Sequence, residues 1–119
     1  MIDRTATYLD SMKRATTKAI AYTAGSSLSS FLADDRTQAA VAMCLVVIGE
    51  GANNLALRAP EFVAAYPDWP WDRIRGLRNR IVHGYDALEL SVIWSTVTDY
   101  LPALLAAIEA IGELDPRGS

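Results

Sequence analysis

From position 4 to position 111 the apolar residues return every three or four positions. No stretch alternates apolar with polar residues long enough to build a sheet. That pattern confines the chain to packed helices. Tyr8, Met12, Ala15, Ala19 and Tyr22 mark one face of a first helix from about Arg4 to Tyr22, which the run Thr23-Ala24-Gly25-Ser26-Ser27 ends. After a short segment, Leu28 to Ala33, Asp34 or Asp35 is placed to cap a second long helix reaching about Leu57. Between Ala39 and Ile48 this helix is apolar on most of its circumference, as in a helix buried in a bundle or against a partner chain. Gly49 and Gly51 each lower helix propensity by about 1 kcal/mol relative to Ala. They read as points of close helix approach rather than as breaks.

Pro60, Pro67 and Pro70 then predict a loop from Arg58 to Pro70 holding at most one turn of helix. A further helix begins near Trp71, with Trp71, Ile74, Leu77 and Ile81 as its core stripe and Gly84 just past its end. Asp86-Ala87-Leu88-Glu89 reads as a capping box opening the last helix. That helix is faced by Val92, Ile93, Thr96, Val97, Tyr100, Leu101, Leu104, Leu105, Ile108 and Ile111, and Pro102 predicts a kink in it. The expected fold is all-α: a four-to-five-helix bundle in one domain over 1–112, with 113–119 as a frayed tail.

Of the 119 residues, 51% are hydrophobic, enough apolar surface to exclude a disordered chain. The one cysteine, Cys44, has no partner for an intramolecular disulfide, and among apolar neighbours it reads as unreactive core. The apolar run Ala39 to Ile48 is short of the roughly 20 residues that cross a bilayer, and the N-terminus lacks a basic, then apolar, leader. The expected location is the cytoplasm, with no membrane contact. A net charge of -3 argues against nucleic-acid coating by the whole surface but leaves room for a local basic site.

Such a site stands out between Trp71 and Tyr85. Arg73, Arg75, Arg78 and Arg80 face a single acid, Asp72, so this segment is net cationic in an acidic chain. Arginine suits bidentate phosphate recognition; a solvated helix face would use the same residues. At 100° per residue, Arg75, Asn79 and the chain's one histidine, His83, share a polar face away from the core stripe. Arg78 lies roughly 140° from His83 around an ideal helix. The two side chains therefore serve one site only if the helix ends near His83 or a second copy of the chain supplies part of it. Gly84 would let the chain turn and return Tyr85 toward the same pocket; alternatively Tyr85 packs on the bundle end. One His and one Cys do not make a zinc site, and no acid pair suggests two metals. Gly49-Glu50-Gly51 is no phosphate loop, and leaves Glu50 exposed or hydrogen-bonded between helices. Trp69, Trp71 and Trp94 read as core and interface anchors.

The run Arg78-Asn79-Arg80-Ile81-Val82-His83-Gly84-Tyr85 resembles the R-x-x-x-x-H-x-Y signature of the HEPN superfamily. Ile48-Gly49-Glu50, Pro70-Trp71 and Leu101-Pro102 are similar to the HepT toxin branch. The resemblance implies the toxin of a HepT–MntA, type VII toxin–antitoxin module: a metal-independent ribonuclease needing no cofactor. It further implies a homodimer whose two motifs face each other. It assigns catalysis to Arg78 and His83 and a supporting role to Asn79, while the local positive charge offers Arg73, Arg75 and Arg80 as RNA contacts. Tyr85 would be the residue that an MntA-like nucleotidyltransferase antitoxin modifies with AMP. Gly84 fills a variable position often held by a charged residue.

The chemistry fits these residue types. Metal-free RNA cleavage needs a base for the 2′-hydroxyl proton and a donor for the charged phosphorane. A histidine, with a reference pKa of about 6.5, suits the first task; arginine stays protonated and suits the second. The substrate would be tRNA or mRNA. Two other readings use the same bundle: a non-catalytic partner that binds a nucleotidyltransferase and helps present its substrate, and a helical dimer with no site.

Overall fold

Asp34 opens the longest helix of the chain. Its carboxylate accepts hydrogen bonds from the Thr37 backbone N–H at 3.1 Å and from the Thr37 hydroxyl at 2.6 Å. This is the N-cap arrangement that satisfies an orphan helix donor, and it holds the Asp34 carboxyl below the usual range. The computed structural model describes residues 3–111, which form seven α-helices and one 3-10 turn and contain no strand. The helices are α1 (Thr5–Thr23), α2 (Leu28–Leu32), α3 (Asp35–Arg58), α4 (Pro60–Ala65), α5 (Trp71–Gly84), α6 (Leu90–Asp99) and α7 (Leu101–Ala110), with the 3-10 turn at Tyr85–Ala87 between α5 and α6. The all-α expectation holds.

Gly25, at φ +78°, takes the left-handed turn after α1 that a side chain would resist. Ser27 and Ser30 then cap α2 reciprocally. Gln38, buried on α3, donates to the carbonyls of Phe31 at 2.9 Å and Leu32 at 3.1 Å, which pins the end of α2 to α3.

α3 runs antiparallel between α1 and α5, and the two glycines set its distance from each. A Cβ at Gly51 would sit 2.3 Å from Met12 Cγ on α1, and one at Gly49 would sit 2.2 Å from Arg78 Cβ on α5. Both act as close-approach points inside an unbroken helix. On the other side α6 and α7 add Ile93, Val97, Leu101, Leu104 and Ile108 to a single core with Leu9, Met12, Val41, Ile48, Leu55 and Ile74. Each such side chain stabilises the fold by about 1.5–3 kcal/mol.

Two local expectations are revised. The segment before Trp71 holds a six-residue helix, α4, rather than one turn. Pro60 fits its first position because no N–H is needed there. Phe62 on α4 packs against Tyr66, Trp69 and Trp71 at ring-centroid distances of 4.7, 5.7 and 6.4 Å. The capping box at Asp86–Glu89 does not form. Asp86 lies in the 3-10 turn, Leu88 is extended and packed on the core, and Glu89 precedes α6 without a side-chain cap bond. Tertiary anchoring of Leu88 overrides the local capping signal. The kink expected at Pro102 corresponds to a one-residue interruption: α6 stops at Asp99 and α7 starts at Leu101, while the exposed Tyr100 between them keeps helical backbone angles and its N–H still donates to the Thr96 carbonyl.

The membrane estimate also changes. α3 and the stretch Leu90–Ala110 are long and apolar enough to cross a bilayer by length and composition. The apolar run stopped at Gly49, whereas the helix continues to Arg58. In the bundle α3 is the central packing element. The tail at 113–119 lies outside the described residues.

Candidate active site on the arginine-rich helix

α5 buries Trp71, Ile74, Leu77 and Ile81, the stripe expected from the sequence. Trp71 is locked at its start: Nε1 donates to the Tyr66 carbonyl at 2.8 Å, and the ring stacks on Trp69 at 5.1 Å. With the core face fixed, every arginine of the helix is driven off the core, and the four part company.

Arg78 turns toward α3. Its Nε donates to Glu50 Oε1 at 2.9 Å, its Nη2 donates to the same oxygen, and its Nη1 donates to Asn79 Oδ1 at 3.0 Å. The Arg78 side chain is 21% exposed and that of Glu50 47%. An ion pair open to solvent contributes little to stability, roughly 0–1 kcal/mol. What it fixes is direction. One turn earlier, Arg75 Nε donates to Asn53 Oδ1 on α3 at 2.7 Å. Arg73 goes the other way and lies over the Tyr100 ring at 4.2 Å, a cation–π contact at the α6–α7 junction. Arg80 is exposed.

His83 is exposed and lines a shallow, open depression with Asn79, Arg80, Gly84, Ala87 and Leu88. Arg78 and Tyr85 do not line it. α5 ends one residue past His83, yet this ending does not swing the imidazole round to Arg78. Asn79 is the one motif side chain that meets both, bonding Arg78 and lining the His83 depression. The face shared by Arg75, Asn79 and His83 is thus drawn out, because Arg75 leans to α3.

Tyr85 is 38% exposed, in the 3-10 turn. Gly84 does not return it to the depression: its φ is −167°, extended backbone that any residue adopts, and a Cβ there would meet open space. The phenol stays at the end of the helix, partly exposed. Cys44 is buried, and burial pushes its thiol pKa up, in keeping with an unreactive core position. Among the described residues no three His, Cys, Asp or Glu side chains converge on a point where a metal ion would sit.

The spacing of α5 could not reveal its partners on α3. Glu50 stood open between two roles and proves to be hydrogen-bonded between helices; Asn53 gave no signal, being one polar residue on an apolar helix. Tyr100 was read only as a core-facing residue.

The family described as ribonuclease HepT-like matches residues 12–111. A protein named probable ribonuclease HepT in Thermococcus cleftensis is 32% identical over 81 residues, which is 68% of this chain and 71% of that one. A protein of Methanocaldococcus jannaschii, provisionally named an RNase, is 35% identical over 92 residues, 77% of this chain and 74% of its own. No solved structure matches the chain. Matched over most of its length, with the R-x-x-x-x-H-x-Y motif running from α5 into the 3-10 turn that follows it, the chain belongs to the HepT-like ribonuclease family of HEPN proteins.

Proposed function

We propose that the chain is a metal-independent endoribonuclease toxin that cuts tRNA or mRNA through a site shared by two copies of itself. The observation that carries this reading is the placement of the motif. Arg78 and His83 occur on one helix but face different surroundings, and both remain reachable from solvent. Two copies related by a twofold axis would set the His83 of one beside the Arg78 of the other.

In that site a ring nitrogen of His83 takes the proton of the 2′-hydroxyl, and the oxygen attacks phosphorus. The bond from phosphorus to the 5′-oxygen breaks, and the departing oxygen takes a proton from water or from the second, protonated imidazole. Arg78 stabilises the charge of the phosphorane. Asn79 supports Arg78 from the next position, and Arg73, Arg75 and Arg80 attract the flanking phosphates. No metal or cofactor takes part, and a cellular RNA substrate places the toxin in the cytoplasm.

The partner that silences it is a nucleotidyltransferase antitoxin that adenylylates Tyr85. Its phenol is exposed at the end of the motif helix, where an added AMP would set a bulky anion beside the arginines. Mass spectrometry after coexpression is expected to find AMP on Tyr85; modification elsewhere by an active transferase contradicts this route.

The test of activity is cleavage of total RNA by the purified protein with a chelator present. The wild type is expected to cut, and a folded His83→Ala variant is expected not to. Equal cleavage by that variant removes the mechanism. No cleavage by the wild type, with tight transferase binding, would favour the non-catalytic partner instead.

A further inference from the structure

Glu50 on α3 lies outside the motif helix, yet it takes two of the three hydrogen bonds that the Arg78 guanidinium makes. A guanidinium has five N–H donors in a fixed plane. Three are engaged, by Glu50 at the Nε and Nη2 edge and by Asn79 at Nη1, leaving two N–H groups, one on each terminal nitrogen, without a partner among the described residues. Gly49, the residue before Glu50, makes this grip possible. Its missing Cβ lets the Arg78 stem lie against the α3 backbone, so that the guanidinium reaches Glu50.

We infer that Glu50 is a positioning residue for Arg78: it clamps one edge of the guanidinium so that the two remaining N–H groups stand ready for one phosphate of the RNA. The inference rests on the ribonuclease reading and adds to it a residue outside the motif helix. An unclamped arginine samples many rotamers, and freezing it at the transition state would slow the chemical step. The carboxylate also sets a negative charge near the phosphate-binding edge. Its effect on ground-state RNA binding is therefore unfavourable or neutral, and its benefit falls on kcat.

Glu50→Gln keeps the size of the side chain and removes its charge at a half-exposed position. Three proteins are compared: wild type, Glu50→Gln and Arg78→Ala, each checked by circular dichroism and thermal melting. Cleavage kinetics are followed on an RNA oligonucleotide in chelator, and the Arg78 Nε–H is followed by nitrogen-15 NMR. Glu50→Gln is expected to lower kcat about tenfold or more with KM unchanged or lower. The Arg78 Nε–H is expected to be protected from exchange in the wild type and to lose that protection in Glu50→Gln. A Glu50→Gln protein with wild-type kcat, beside an inactive Arg78→Ala, overturns the positioning role and leaves the ribonuclease reading standing. A rise in KM with unchanged kcat overturns it equally. If Arg78→Ala cleaves like the wild type, the assignment of Arg78 itself falls.

Discussion

Arg78 and His83 sit five residues apart on one helix, but Arg78 is bonded to Glu50 on α3 while His83 opens onto a depression edged by Ala87 and Leu88. A straight helix turns these two positions roughly 140° apart, and the structure keeps that divergence. Neither the end of α5 nor Gly84 brings them together. The chemistry proposed for the pair therefore depends on a second copy, and the surroundings of each residue set what can be tested in one chain alone.

Gly49→Ala is expected to destabilise the protein by about 1–3 kcal/mol, as overpacking does. The new methyl group would meet Arg78 Cβ at 2.2 Å, an atom fixed to the α5 backbone, so the helix itself must move. Gly51→Ala meets the middle of the flexible Met12 side chain, and the gain in helix propensity of about 1 kcal/mol offsets part of its cost. Urea denaturation of the two variants should rank Gly49→Ala as the more damaging.

The arginines of α5 are expected to differ in their share of RNA binding. Arg80 is exposed, whereas Arg75 is engaged with Asn53 and Arg73 with Tyr100. Arg80→Ala should reduce the slope of log affinity against log salt for single-stranded RNA by about 0.7, the loss of one phosphate contact. Arg73→Ala and Arg75→Ala should change it less. Fluorescence anisotropy across a salt series, in a His83→Ala background that spares the RNA, checks the order.

Asp34 predicts a pH dependence. Its carboxyl is held below the ordinary value of an aspartate by the Thr37 hydroxyl first and by the Thr37 backbone N–H second. A depressed folded pKa stabilises the protein above the unfolded value, about 3.9, and that contribution is lost as pH falls through the folded value. The Tm difference between wild type and Asp34→Ala should be constant from pH 7 to about pH 5 and shrink below pH 4.

Much of the scaffold was legible because its signals are local. The caps and breaks at Gly25 and Asp34 and the stripe Trp71-Ile74-Leu77-Ile81 depend on residues within one helix or turn. The length of α4 was not legible, since Phe62 is held there by a ring cluster with Tyr66, Trp69 and Trp71 that lies beyond the helix. The false capping box shows the converse: Asp86 and Glu89 carry the right side chains, and the packing of Leu88 decides against them. For the site, periodicity gave the angle between Arg78 and His83, but the Glu50 clamp joins positions 28 apart, which no helical spacing connects.

Mixing two inactive variants measures the shared site most directly. Arg78→Ala and His83→Ala chains, unfolded together and refolded, would form mixed pairs in which one site joins an intact His83 to an intact Arg78 from the other chain. About half of the pairs would be mixed and each would carry one working site of two, so RNA cleavage should return to about a quarter of the wild-type rate. No recovery from demonstrably mixed dimers, or a wild type that cleaves RNA as a monomer, would contradict the account.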